Sequence, residues 1–453
     1  MTSDTRPPSS AHDAANDTSQ FQFVSWVRGA APYIHAFRGR TFVIGFGGEV
    51  MEGPRAQSLA YDCNLLAALG IRLVLVHGAR PQIESEMARR GLEPRYHHGL
   101  RVTDAAALEC VKAAMAVTRL ELEALLSQGL PNTPMAGSYM RVTSGNFITA
   151  RPVGVVEGID YQYTGAVRKI IADEINADLD QQNVVLITPL GVSPAGEIFN
   201  LSMEDVAEAV AVALKAEKLI YLCDAPGLLD GEGRLIDSVT ADEAQRMLLA
   251  EEGLTEDLDL YLPRAISAVR RGVARAHLID HDKDGGLLLE FFTHAGVGTV
   301  VSRDPLFRLR EATIDDVGAL VALITPMEAD GSLVRRGREL LEQEIERFTL
   351  VEHDGVLVGC AALYPFSDER AAELACLAVT PEYRRSGLGD QLLRRLERRA
   401  RSLRFERLFV LTTRTAHWFR ERGFMETDPD SLPRQKRELY NYQRRSKVFV
   451  KIL

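Results

Sequence analysis

At 453 residues the chain is too long for one hydrophobic core, and 46% apolar with 26% charged residues is a globular composition in which no apolar run reaches the ~18–20 residues of a membrane span. Five cysteines (Cys63, Cys110, Cys223, Cys360, Cys376), an odd number with no CxxC pair, exclude a disulfide scaffold and fit a reduced cytoplasmic interior. The net charge of −10 is unevenly spread: from Arg384 onward 16 Arg and 3 Lys face 8 acids, and this basic end has too little aromatic interleaving to read as a nucleic-acid surface.

Residues 1–20 are polar and small and read as a disordered tail without the apolar core of a secretory signal. In residues 21–37, Val24, Val27, Ala31 and Ile34 share one helical face, and Pro32 predicts a kink or break. From Thr41 the pattern is strand, glycine loop, helix, repeated. "TFVIGF", "IRLVLVH", "NVVLITP" and "EKLIYLC" read as buried strands, separated by helices over residues 56–68, 81–90, 104–128 and 203–216. Such alternation predicts an α/β domain with a mostly parallel sheet over residues 21–300. Residues 135–169, rich in Gly, Thr, Tyr and Val, predict hairpins inserted in that sheet.

A polar link at 301–307 leads to a second, α+β domain at 308–453. Its expected elements are a strand at 308–311, a helix capped by Thr313 or Asp315, and a hairpin turning at Asp354-Gly355. The strand "AELACLAVTP", a helix, the strand "RLFVLTT", another helix and the closing strand "SKVFVKIL" follow.

The sharpest chemical signal is "TPEYRRSGLGDQLLRRLE". A strand feeds a loop with Gly387 and Gly389, and a long helix starts at once. Backbone N–H groups and the helix dipole there favour a pyrophosphate, and Arg384 and Arg385 add positive charge. A dinucleotide fingerprint would need a third glycine, and a P-loop would need Gly-Lys-Ser/Thr; neither is present. Glu373 is the only carboxylate between Glu369 and Glu382, so it is the candidate general base for a reaction at this strand. Thr412, ending "FVLTT", is a candidate donor to a leaving group. Arg335, Arg336 and Arg338, with a second basic segment around Lys436, Arg437, Arg444, Arg445 and Ser446, suit an anionic acceptor with two carboxylates. No His/Cys cluster has ligand spacing, so no metal is expected.

Residues 384–389 resemble the R/Q-x-x-G-x-G/A motif of the GNAT superfamily of N-acetyltransferases, which binds the pyrophosphate of acetyl-CoA, and the order of elements matches that fold. The resemblance implies that the strand before the motif splays from its neighbour and meets the pantetheine arm and thioester through Cys376, Leu377 and Val379. The stretches "ELACLAV", "LVRRGRELLEQEIERF" and "LYNYQRRSK" extend the resemblance to the bacterial N-acetylglutamate synthase family over roughly residues 21–453. It implies L-glutamate as acceptor, held by Arg336, Lys436, Arg444 and Ser446, with the choice between Arg444 and Arg445 open.

The same resemblance makes the first domain amino acid kinase-like. Three departures argue against phosphoryl transfer: Gly45 stands near the place of a catalytic lysine, "HGARP" carries Arg80 where glycine is usual, and Arg264 replaces a second lysine. "VARAHLID" and "LLLEFFTHAGVGT" are similar to the arginine-sensing segment of arginine-inhibited relatives. They imply an effector site of Lys218, His277, Glu290, Gly296 and Gly298, and the helix before Thr41 implies hexamer assembly. A bifunctional synthase–kinase and a non-catalytic arginine-binding regulator stay open as alternatives.

Overall fold

The strand Thr41–Phe46 is buried at all six positions. Six consecutive apolar or small residues can be hidden only where both faces of a sheet are covered, as in parallel α/β folds. In the computed structural model it lies between Lys218–Cys223 and Arg72–His77, parallel to both. The structure describes residues 24, 26–128, 140–250, 254–293, 296–353, 356–384, 387–438, 440 and 446–453. The expected tail at 1–20 and the Asp354-Gly355 turn lie outside them. The chain divides into two units, Met1–Asp304 and Pro305–Leu453.

The first unit is built on an eight-stranded sheet in the order Ser238–Thr240, Thr299–Ser302, Arg275–Asp280, Lys218–Cys223, Thr41–Phe46, Arg72–His77, Val184–Ile187 and Val142–Thr143. Its one antiparallel junction joins Arg275–Asp280 to Thr299–Ser302. Helices Arg55–Ala68, Arg80–Arg89, Ala105–Leu126 and Met203–Ala213 stand within one to three residues of their expected limits.

Two expectations need correcting. The hairpin region does not insert into the main sheet; only Val142–Thr143 joins it. Ile148–Pro152 and Gly165–Ile170 pair instead in a separate four-stranded sheet with Leu190–Val192 and Ile198–Asn200. Gly165 and Gly191 permit this: a Cβ on either would strike Phe199 or Ala150 at 2.6 Å. The second correction is at Pro32. Residues 26–37 run as one continuous helix, because Tyr33, Ile34 and Phe37 pack on the core and offset the lost hydrogen bond. Phe37 meets Phe42 and Phe291 at ring distances of 5.4 and 6.4 Å, while Val24, Trp26 and Val27 stay exposed.

In the glycine cluster that ends the first strand, Gly45 is tightly packed, whereas Gly47 and Gly48 line a cavity. A Cβ on Gly45 would lie 2.9 Å from Met203 Sδ, 3.0 Å from Ala207 Cβ and 3.2 Å from Tyr221 Cδ1. Tyr221 is itself stacked on Tyr261 at 4.9 Å. Arg80 lines that cavity beside Gly47, Gly48 and Gly78, with its charge already engaged. Its guanidinium reaches Glu256 at 2.7 Å and lies over the Tyr96 ring. Arg264 pairs with Asp205 at 2.7 Å.

The second unit has a seven-stranded sheet: Phe307–Glu311, Phe348–His353, Val356–Phe366, Ala371–Val379, Arg407–Thr412, Lys447–Ile452 and Met425–Thr427. Helices Val317–Ala329 and Leu388–Ser402 cover it. The first follows a turn closed by a capping box in which Thr313 and Asp316 satisfy each other's backbone.

Because Gly45 is hemmed in by a thioether, a methyl and a stacked ring, Gly45→Ala is expected to cost about 1–3 kcal/mol by overpacking. A lowered urea midpoint with an unchanged slope is the expected measurement.

Candidate active site

The site begins where the central sheet of the second unit comes apart. Ala371–Val379 and Arg407–Thr412 are parallel neighbours, yet they pair only at Ala371–Arg407, Ala372–Leu408 and Glu373–Phe409. Beyond Glu373 they diverge. Among the described residues the strand edge from Leu374 to Val379 is therefore unpaired on this side, although it remains bonded to Val356–Phe366 on the other. An unpaired strand edge is a row of amide donors and acceptors that a ligand can take up.

A bulge sharpens the fork. Register with Val356–Phe366 shifts between Cys360 and Ala362, opposite Cys376, whose φ is +52°. This left-handed conformation is unusual for a non-glycine residue and turns the local amide direction. Cys376 is buried, Cys360 Sγ donates to its carbonyl at 3.4 Å, and Leu377 and Val379 are half-buried on the covering-helix side.

Past the strand, Tyr383 fixes the turn, its ring packed against Phe307 and His353 and its hydroxyl 3.2 Å from His353 Nδ1. Arg384 is exposed beside it. Gly387 adopts φ +76° and begins the helix Leu388–Ser402. The first N–H groups of that helix have no intrahelical acceptor and carry the positive end of its dipole. Gly389 faces Trp418, where a Cβ would sit 3.2 Å from Cζ2. Trp418 is held in turn by the Arg422 guanidinium at 3.9 Å, and Arg422 is clamped to Asp390 of the first helical turn. This buttress had no signal in sequence spacing.

At the point of the fork Glu373 is buried and its carboxylate binds Lys436 Nζ at 2.7 Å. Lys436 comes from the short helix Arg434–Glu438. Of the three candidate arginines, Arg335 and Arg338 are exposed and Arg338 pairs with Glu342, whereas Arg336 is half-buried. Burial opposes the Arg336 charge, but Cys376, Tyr364 and Glu373 nearby raise its pKa. Tyr364, cross-strand from Glu373, was not singled out by sequence. Its hydroxyl donates to Glu344 at 2.8 Å and the Arg347 guanidinium lies over its ring.

Thr412 Oγ1 accepts the Thr415 N–H at 3.0 Å and shares a hydrogen bond with the Thr415 hydroxyl. Its hydroxyl thus holds a turn after the strand. Ser446 is buried, and its carbonyl accepts from the Tyr440 hydroxyl. Arg385 and Arg444 lie outside the described residues.

In the first unit the structure brings Lys218, His277, Glu290, Gly296 and Gly298 together. Lys218 Nζ lies 3.2 Å from His277 Nε2, and His277 Nδ1 lies 2.7 Å from Glu290 Oε1. Glu290 Oε2 accepts the Val297 and Gly298 N–H groups at 2.7 and 3.0 Å. A single polarity satisfies the chain: ammonium to Nε2, Nδ1–H to carboxylate. Gly296 is required by the closure, since its φ is +62° and a Cβ would meet Glu290 Oε2 at 2.7 Å. Lys218 is wholly enclosed by Phe37, Phe42 and Phe291. Burial pulls its pKa down to about 7, and burial with the nearby ammonium pulls His277 down to about 4. Burial works against the Glu290 charge, but His277 and the two amides outweigh it and hold its carboxyl at about 2.

A forked sheet, a bulged strand edge and a glycine-started helix define an N-acetyltransferase of the GNAT class, and residues 320–424 match the acetyltransferase (GNAT) family. Residues 40–280 match the amino acid kinase family. The chain belongs to the amino-acid acetyltransferase family. It is 53% identical to the amino-acid acetyltransferase of Ralstonia nicotianae over 96% of both chains, and 52% identical to that of Pseudomonas putida over 95% of this chain and 99% of the other. Among solved structures it is similar to N-acetylglutamate synthase from Neisseria gonorrhoeae complexed with coenzyme A and L-arginine, at 39% identity and a TM-score of 0.83. A second structure of that enzyme, with coenzyme A and N-acetyl-glutamate, gives 40% identity and a TM-score of 0.61. Each match covers 95% of this chain and 99% of the other.

The Lys218–His277–Glu290 chain makes stability depend on pH in one direction. Lys218 and His277 bind protons more weakly folded than unfolded, so their contributions rise with pH over about 7–10.5 and 4–6.5. Glu290 has the depressed carboxyl of an ionised acceptor, so its contribution is lost as pH falls from 4.5 toward about 2. The melting temperature followed across pH is expected to show these rises, and Lys218→Met to flatten the upper one.

Proposed function

We propose that this enzyme transfers the acetyl group of acetyl-CoA to the α-amino group of L-glutamate, the first step toward arginine, and that L-arginine inhibits it. The observation that carries this reading is the position of Glu373. It is the last residue paired before the strands part, and it is bound to Lys436 within electrostatic reach of Arg336.

In the proposed reaction the acetyl-CoA pyrophosphate lies on the N–H groups from Gly387 to Gly389, with Arg384 and Arg385 adding charge. The pantetheine arm lies along the open edge at Cys376, Leu377 and Val379. Glutamate brings an ammonium and two carboxylates. Its carboxylates go to Arg336, Lys436, Arg444 and Ser446, so Lys436 changes partner from Glu373 to substrate. That exchange frees Glu373 to take a proton from the ammonium, directly or through water. The amine nitrogen attacks the thioester carbonyl, a strand N–H stabilises the oxyanion, and Thr412 donates to the departing CoA thiolate.

The kinase-like domain is assigned arginine sensing and assembly rather than phosphoryl transfer. The crowding at Gly45 and the ion pairs of Arg80 and Arg264 support this. The arginine guanidinium is assigned to Glu290, and its carboxylate to Lys218, with Gly296 and Gly298 shaping the wall. Inhibition then requires that arginine bind one arrangement of the enzyme more tightly than another. The exposed face of Val24, Trp26 and Val27 supports assembly through the first helix, as a hexamer by family resemblance. Among the described residues no helix is long and apolar enough to cross a membrane; a cytoplasmic location is part of the proposal.

Free-thiol release from acetyl-CoA with a panel of amino acids, with and without arginine, tests the reading. Glutamate is expected to be the preferred acceptor, and arginine to suppress its turnover; equal rates with unrelated amino acids would sink the assignment. Glu373→Gln is expected to lower kcat by about 10²-fold with little change in KM for acetyl-CoA, and a loss below about tenfold would remove Glu373 from the base role.

A further inference from the structure

We propose that His97, His98 and Glu157 form a binding site for a divalent transition metal of the zinc type, which ties together two hairpins of the kinase-like unit. One ligand atom from each of the three residues lies within 4.8 Å of the other two. His98 Nε2 already stands 2.8 Å from a Glu157 carboxylate oxygen. Two imidazoles and a carboxylate are a donor set suited to zinc, whose tetrahedral bonds of about 2.0–2.2 Å put ligands roughly 3.3–3.5 Å apart. An inward adjustment of up to about 1.5 Å would bring the three groups to that geometry.

An independent observation concerns the His97 tautomer. Its Nδ1 is 3.0 Å from the hydroxyl of Tyr161, a residue only 1% exposed. That hydroxyl donates its own hydrogen to the His97 carbonyl at 3.0 Å. The phenol oxygen is thus left as acceptor, and Nδ1 must carry the proton. His97 Nε2 is therefore a bare lone pair. A metal-binding histidine is normally prepared in this way, with one ring nitrogen donating to a fixed partner and the other free to coordinate.

The site also has a place in the architecture. His97 and His98 belong to the hairpin formed by Tyr96–His97 and Leu100–Arg101, and Glu157 to the turn between Val155–Val156 and Ile159–Asp160. Tyr96, Gly99, Leu100 and Arg101 of the first hairpin line the large cavity of the kinase-like fold. A metal bridging the two tips would hold that hairpin in place over the cavity. Three protein ligands leave a fourth position for water.

The test is calorimetric titration of the tag-free full-length protein with zinc chloride, repeated on His98→Ala and Glu157→Gln. Both side chains are more than 60% exposed, so both variants should fold. One zinc per chain is expected, with affinity falling at least about tenfold in each variant. Magnesium, which prefers oxygen ligands, is expected to give no binding. The proposal is overturned if wild-type protein binds no zinc, or if both variants bind it as tightly as wild type, which would place the zinc elsewhere, for instance at the exposed His417–Glu421 pair. Equal binding of magnesium would overturn the metal class.

Discussion

Two parallel strands that pair at three positions and then separate impose the design of the second unit. Pairing as far as Glu373–Phe409 fixes the base of the fork, and the divergence beyond it leaves backbone groups without a strand partner. Backbone polar groups must be satisfied somewhere, so the open edge offers a row of donors and acceptors to water or to a ligand. The rest of the unit serves that edge. The bulge at Cys376 aims it, the ring of Tyr383 closes its far end, and the Trp418–Arg422–Asp390 cluster holds the first turn of the following helix.

Charge is handled differently in the two units. At the fork the buried carboxylate of Glu373 meets a lysine on a short helix, a partner that can be exchanged. In the first unit Lys218, His277 and Glu290 form a hydrogen-bonded chain inside an aromatic shell, closed at Glu290 by two backbone amides. The first arrangement suits chemistry that needs a group freed on demand. The second holds its three groups in one fixed arrangement.

Much of this was legible in the sequence because the signals were local. "TFVIGF" is a strand over all six residues because an unbroken apolar run between a basic residue and a glycine turn leaves little choice, and "RRSGLG" announces its helix start through the glycine spacing. What sequence spacing could not supply was pairing across distance. Lys436 lies 63 residues from Glu373, Tyr364 reaches it only through antiparallel register, and Glu157 lies 59 residues from His98. The separate four-stranded sheet was missed because alternation predicts strands but not which sheet they join. The helix within residues 21–37 was legible, but the break offered at Pro32 does not occur, because aromatic packing at Phe37 overrides a local penalty.

The packing around Gly45 has an evolutionary consequence. A lysine there would need Met203, Ala207 and Tyr221 to withdraw together, and Tyr221 is locked by its stack on Tyr261. Each of those changes alone would leave a hole or a clash. A chain in this state sits behind a ratchet: single substitutions lead downhill in stability before any of them could yield a new catalytic group. At Gly45 itself, packing therefore opposes the entry of any long side chain.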